Sequence, residues 1–371
     1  MKSRRCLTIL FSSTHLSPVS SLVTRLRSPT FHRQTFRSFA KTTMDVPPTS
    51  FPPIIDVDCN LCHRDLVSLQ NNKEEEDSCV AWNMLREDAI GQANIVAMLS
   101  PSSTLDEARK GLDLLQNHPP PLPIKTTVGV HPYHVNDPDL QGQSIGEAKQ
   151  AIKSLVKSDD DSATSRWIAA IGECGLDASP GFPPLGEQLP WFQLQIDIAE
   201  ELRLPLFVHE RLAFDETMRL LQDSTIPIII HCFTGTKEEC IQYIERGYYI
   251  SISGFILKES NDNCDQVRSC LRDGIIPLDK LMIETDSPYM GFDGCRKLYL
   301  EHNQDIVASL NSKKRKRLSQ SIYPNVPSSL PMVLQKVTEC LQAHDSTLTI
   351  EAVAEATTQN AQSFFGLSLM E

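Results

Sequence analysis

Pro205-Leu206-Phe207-Val208-His209 and, one helix-length segment later, Pro227-Ile228-Ile229-Ile230-His231 are apolar runs that each stop abruptly on a histidine. A strand with one wet face alternates apolar and polar side chains. These runs do not alternate, so both faces must be buried, as in a parallel sheet covered by helices. The residues between them, 215–222, carry apolar side chains at helical spacing, which makes the unit strand, helix, strand. With these two runs, at 204–209 and 227–231, belong six more at 54–58, 94–99, 126–131, 167–173, 248–253 and 281–286, with further helical patterns at 105–115, 189–202, 237–246 and 264–273. Eight such repeats predict an α/β chain closed into a (β/α)8, or TIM, barrel, a single domain over residues 54–371. Residues 349–365 read as a helix packed on the barrel exterior. Two stretches, 141–165 with its acidic run Asp159 to Asp161 and 294–327 with Lys313-Lys314-Arg315-Lys316-Arg317, read as surface insertions poor in core residues.

The polar residues fall in a pattern. Asp58, Asn60, His131, Glu173, His209, His231 and Asp286 all sit at the C-terminal ends of predicted strands, which converge at one mouth of a barrel. Any one of them reads equally well as a hydrogen-bonded strand end. Together, histidines and carboxylates meeting at one mouth are the donor set of a divalent metal site, with Mg2+, Mn2+ or Zn2+ as the candidate ions. The chain has no glycine-rich phosphate loop, which weighs against a nucleotide-fuelled reaction.

Five ordered motifs carry a resemblance. They are Val128-Gly129-Val130-His131-Pro132, Ile171-Gly172-Glu173-Cys174-Gly175-Leu176-Asp177, Pro205 to His209, Ile230-His231-Cys232-Phe233-Thr234-Gly235, and Ile283-Glu284-Thr285-Asp286-Ser287-Pro288-Tyr289. With the closing segment Thr358 to Phe365, these make the chain, from about Ile54 to Leu367, resemble the TatD family of metal-dependent deoxyribonucleases among the amidohydrolase-like barrels. The resemblance implies a two-metal site that hydrolyses phosphodiesters. In it Glu173 bridges, His209 and His231 hold one ion, and Asp286 with the first-strand residues holds the other. Asp286 would orient the attacking water, with Asp286 and Glu173 as the catalytic pair. His131 is expected to contact phosphate or support the ligands.

The first strand departs from that pattern. The family presents Asp-x-His-x-His, whereas this chain has Asp56-Val57-Asp58-Cys59-Asn60. Two-residue periodicity aims Asp58 and Asn60 at one side and Cys59 away. Oxygen donors then replace imidazoles, and the first metal position is expected to be weakened and to favour harder ions. Cys62 and His63 follow the strand and are expected in a loop rather than as substitute ligands. The family's asparagine-acid-proline appears as Asn325-Val326-Pro327, without the acid.

Composition bounds the rest. The first 43 residues carry eight basic residues and no acidic one, which reads as a transit peptide for a mitochondrion or plastid, followed by a linker at 44–53. A start at Met44 would leave a cytoplasmic or nuclear form. Loss of those eight positive charges takes the formal charge from −12 to −20, so a broad basic nucleic-acid surface is excluded and binding must rest on metal and local patches. Eleven scattered cysteines read as reduced thiols. The basic run, with Lys313, Lys314 and Arg315, reads as a substrate-backbone contact, a nuclear import signal or a solvated loop. The leading expectation is a nuclease acting on DNA more than RNA, with no membrane segment and no obligate protein partner. The alternatives are hydrolysis of small phosphoesters or aminoacyl-tRNA esters, and a catalytically impaired barrel that binds.

Overall fold

Eight short parallel strands, each hydrogen-bonded to the next in chain order, form the centre of the molecule: β1 (Ile54–Asp56), β2 (Ile95–Ser100), β3 (Ile124–Val128), β4 (Ile168–Asp177), β5 (Leu206–Arg211), β6 (Ile228–His231), β7 (Tyr249–Ile252) and β8 (Leu281–Ile283). This computed structural model describes residues 51–67, 85–118, 120–137, 145–160, 166–259 and 262–369. The expected transit peptide at 1–43 and most of the 44–53 linker lie outside the described residues. The ring closes between its ends, where Val57 N donates to Ile283 O (3.3 Å), Asp286 N to Asp58 O (2.9 Å) and Asn60 N to Ser287 O (2.8 Å). The chain is the TIM barrel that its apolar runs predict, and no helix among the described residues is long and apolar enough to cross a membrane.

The continuous apolar runs divide between two cores. Ile55, Val57, Ala97, Leu99, Ala170, Phe207, Ile229 and Met282 form an inner cluster, and the opposite faces of the same strands pack under the surrounding helices. The C-terminal helix Ile350–Phe365 does more than pack outside. Its Val353 and Ala354 join the outer core, while Ala361, Phe364, Phe365 and then Leu367 enter the inner cluster. Asn360 Nδ2 donates to Leu278 O and Leu281 O (2.8 Å each), which places this plug at the N-terminal ends of the strands. The opposite end stays open.

Both expected insertions are more structured than their composition suggests. Ile145–Asp160 is a helix that buries Ala148, Ile152 and Val156 on one stripe, and buried Asp159 accepts from Trp167 N (3.0 Å) and Ile168 N (2.7 Å) to fix the start of β4. Residues 294–327 hold three short helices, Lys297–His302, Gln304–Ser309 and Ser312–Gln320. Buried Arg296 ties them together by donating to the carbonyls of Leu318 (2.8 Å), Ser321 and Pro324. The helix Leu330–Gln342 follows, with Val333, Leu334 and Val337 fully buried.

Candidate metal centre

The open end of the barrel gathers polar side chains that the flanking apolar strands hold at fixed positions. His209 and His231 are register partners on β5 and β6, so their imidazoles stand side by side. Gly175 on β4 pairs with His209 at φ +144°, where a Cβ would lie 1.8 Å from His209 O; only glycine lets β4 come this close. Glu173 on β4 then reaches into the mouth. Its Oε1 lies 2.9 Å from His231 Nε2, 3.2 Å from His209 Nδ1 and 3.3 Å from His131 Nε2.

The outward sides of the imidazoles are also held. His209 Nε2 is 2.9 Å from Oδ2 of fully buried Asp177, whose Oδ1 accepts from Ser179 N (2.7 Å). Asp177 takes the Nε2 proton, so with a cation bound the Nδ1 lone pair would be free to face it beside Glu173. His231 Nδ1 lies 3.2 Å from Asp58 Oδ2 and 3.6 Å from Glu284 Oε1. Glu284 in turn accepts from Ser251 Oγ (2.6 Å).

Past the end of β1 at Asp56, Asp58 and Asn60 come to the mouth and Cys59 turns away, although the period is broken on the way: Val57 lies in the inner cluster and Cys59 in the outer one. Asp58 faces His231, Asn60 lines the cavity at the mouth, and Cys59 is buried in the outer core. Asn60 Nδ2 sits 3.4 Å from Asp58 Oδ1. Asp56, also fully buried, accepts from Thr285 N (2.9 Å) and Thr285 Oγ1 (2.7 Å) and so locks the turn after β8. Asp286 follows that turn with φ +51°, a conformation L residues rarely adopt. It lines a cavity of about 460 Å³ shared with Glu173, His131 and His209.

Burial and charge oppose each other throughout. Burial pushes the Asp56 carboxyl up to about 8 and that of Asp58 well above the carboxylate range. Burial also pushes Asp286 up to about 7, with His231 opposing and Glu284 adding to the rise. Burial works against ionised Glu173 as well, but the surrounding imidazoles win and hold it well below its ordinary value. His231 and His209 are raised despite burial, by Glu173 with Asp58 and by Asp177 with Glu173 respectively. Burial takes His131 down to about 3, so it stays neutral.

Two groups of donors have their atoms within 4.8 Å of one another, His131–Glu173–His209 and Asp58–Glu173–His231. A cation fits them on a structural criterion: both His231 nitrogens, Asp58 Oδ2 and Glu284 Oε1 are buried without a hydrogen bond, although opposite charges lie within 2.9–3.6 Å. Atoms so near yet so misaligned suit a shared ion better than one another. Glu173 belongs to both groups, His209 and His231 fall into different ones, and His131 stands with His209. Asp286 lies beside them on the cavity wall and belongs to neither.

Other expected residues lie elsewhere. Lys313, Lys314 and Arg315 are exposed on the helix Ser312–Gln320 and line neither cavity at the mouth; Arg315 is turned to the carbonyls of Val307, Ala308 and Leu310. His63 Nδ1 accepts from Asp65 N (3.1 Å), and neither it nor Cys62 joins a donor group. Asn325 bonds Thr285 O (2.9 Å) and supports the Asp286 turn without the missing acid. Asp177, Glu284 and Ser251 were not foreseen. The available signal for the first two was a second carboxylate in a motif already marked by Glu173 or Asp286.

Comparison with known proteins bears on this centre. Residues 55–366 match the family described as TatD related DNase. The 3'-5' ssDNA/RNA exonuclease TatD of Citrobacter rodentium (strain ICC168) is 32% identical over 283 residues, covering 75% of this chain and 89% of that protein. Its counterpart in Escherichia coli (strain K12) is 30% identical over 292 residues, covering 76% and 94%. Among solved structures, an uncharacterized amidohydrolase from Saccharomyces cerevisiae superposes with a TM-score of 0.63 at 19% identity, covering 85% of this chain and all (100%) of that one. A hydrolase TatD family protein from Entamoeba histolytica also gives 0.63 at 19%, covering 85% and 99%. These two likenesses show the shared fold.

Proposed function

The chain belongs to the TatD related DNase family, and from that premise we propose that it trims single-stranded nucleic acid from the 3′ end, DNA in preference to RNA, at a centre of two divalent ions. It is a metal-dependent hydrolase of the nuclease type. The observation that carries the reading is the pair of donor groups sharing Glu173 and opening on one cavity at the C-terminal mouth. The family's description supports DNA, and the relatives' printed names supply the single strand and the direction of attack.

The distances support Glu173 as the bridging ligand, with His131 and His209 on one side and Asp58 and His231 on the other. Bound there, Mg2+, Mn2+ or Zn2+ supplies Lewis acidity toward phosphoryl oxygen and an acidified water. Asp286, fixed by its N–H bond to Asp58 O (2.9 Å), holds the attacking water and accepts its proton. Arg211, at the end of β5 on the same cavity wall, offers paired donors to phosphate oxygens. Asn60 restrains Asp58 through its amide and adds at most a neutral donor, which supports a weakened first position.

Hydrolysis of labelled single-stranded DNA and RNA by the chain from Met44, with each metal and with Asp286→Asn as control, tests this. Metal-dependent shortening that the control abolishes is expected; no cleavage with any metal overturns it. We also propose import into a mitochondrion or plastid, supported by the basic, acid-free first 43 residues. A fluorescent fusion of that segment that stays cytosolic refutes import.

A further inference from the structure

We propose that Tyr133 and Tyr289 form a nucleobase-stacking subsite beside the metal centre, in the cavity that adjoins it; the proposal rests on the nuclease reading and adds to it how the strand is gripped. Among the described residues, the exposed large apolar and aromatic side chains include two aromatic ones, each about half open to solvent, Tyr133 (53% exposed) and Tyr289 (47%). Both line the 460 Å³ cavity of the metal donors, and both also line a second cavity of about 530 Å³. Asn60, Ser103 and His134 are common to the two as well, so the cavities share a wall and one strand can run through both.

Each ring is steadied without being covered. Tyr133 meets His134 (centroids 5.2 Å apart, 83°) and Phe182 (5.4 Å, 79°) in edge contacts, and Tyr289 meets His63 (5.5 Å, 74°). Exposed aromatic area at the mouth of a site, held by neighbours rather than left to rotate, is what a stacking platform requires.

The second cavity also suits the backbone that accompanies a base. Arg64 and Lys110 line it with side chains 90% and 69% exposed. Lys110 Nζ lies 2.6 Å from Asp106 Oδ2, an exposed pair that salt or a competing phosphate opens at little cost. Glu107, the carboxylate on that wall, accepts from Ser103 N (2.9 Å).

The charge of the whole chain leaves room for stacking beside the metal and the local basic contacts. A formal −12 gives no general attraction to a polyanion, so affinity must come from local contacts. Stacking contributes about 5- to 150-fold per base and is tolerant of sequence. It also demands an unpaired base, since a duplex buries its base faces against one another.

The test compares a single-stranded oligodeoxynucleotide with an oligomer of the same length whose terminal nucleotides are abasic. Hydrolysis of both is followed with the unmodified chain, with Tyr133→Ala/Tyr289→Ala, and with Tyr133→Phe/Tyr289→Phe, under the metal that supports cleavage. The unmodified chain is expected to show a KM at least about tenfold lower for the base-bearing oligomer. The alanine pair should raise that KM and bring the two oligomers together, with kcat changed far less; the phenylalanine pair should keep the preference. If the alanine pair loses on both oligomers in proportion, so that the preference survives, the tyrosines are structural and the subsite is refuted. If the unmodified chain prefers neither oligomer, stacking is refuted while the nuclease reading stands. If it cleaves neither, the nuclease reading falls and the subsite with it.

Discussion

Replacing Asp177 by asparagine changes one oxygen to an NH2 group, and the structure says what that does to the metal centre. Asp177 is fully buried, so water cannot absorb the change, and its Oδ1 stays committed to Ser179 N at 2.7 Å. The new amide nitrogen therefore faces His209 Nε2 across 2.9 Å, donor against donor. The imidazole relieves the conflict by moving its proton to Nδ1, the nitrogen that faces Glu173 at 3.2 Å, and so gives up the lone pair a cation needs. Loss of such an orienting partner weakens metal binding about 10- to 100-fold, or about 1.4–2.8 kcal/mol. Calorimetric titration of Zn2+ or Mn2+ against a competing chelator reads this directly, without reference to turnover. Asp177→Ala, which removes the acceptor without introducing a donor, should weaken binding less. An affinity for Asp177→Asn within about threefold of the unmodified chain would show that His209 does not ligate through Nδ1, and the argument would fail.

Gly175→Ala puts a Cβ 1.8 Å from His209 O at φ +144°, so β4 must withdraw from β5; a loss of about 2–6 kcal/mol in denaturant unfolding, with weakened metal binding, is expected. Asp88, buried and bonded by Ser328 N (3.0 Å), has its carboxyl pushed up to about 6 by burial, from an ordinary 3.8. Between those values the folded chain keeps a proton the unfolded chain has lost, so stability should fall by about 3 kcal/mol as pH rises from about 4 to 6, and Asp88→Asn should flatten that slope in urea unfolding. Metal-loaded protein at a thousandfold excess over Kd should gain about 4 kcal/mol, lost on adding a chelator; an unfolding midpoint indifferent to the chelator would refute the donor groups as a cation site.

What was legible in the sequence followed from where polarity interrupts an apolar run. His209, His231 and Glu173 stand out because parallel barrel strands are buried on both faces, so a polar residue there needs a reason. Asp177 and Glu284 carry the same signal more weakly. Asp177 lies beyond the expected end of β4, which runs on past Gly175, and Glu284 shares its motif with the more conspicuous Asp286. Their roles depend on partners far along the chain, His209 for one and Ser251 for the other. The helix Ile145–Asp160 was hidden by its acidic end, although Ala148, Ile152 and Val156 recur every fourth residue. Arg296 could not have been read at all, because what it binds is backbone carbonyl, which every sequence offers equally.

The substitutions on the first strand bear on which cation the mouth accepts. Asp56, Asp58, Glu173, Asp177, Glu284 and Asp286 are buried there around three imidazoles, of which burial keeps His131 neutral. Without a cation, burial pushes Asp56, Asp58 and Asp286 toward their neutral forms, so apolar residues of the same size would serve stability better. A divalent ion bound where the orphaned atoms of Asp58, His231 and Glu284 face one another would hold Asp58 ionised. Where the resemblance expects two neutral imidazoles, Asp58 adds a negative oxygen and Asn60 a neutral amide, so the wall by β1 is both harder and more negative. Such a set gives up part of the preference for zinc, and we propose that it favours Mg2+ or Mn2+ at the Asp58 side, in a position that the neutral Asn60 leaves weakened.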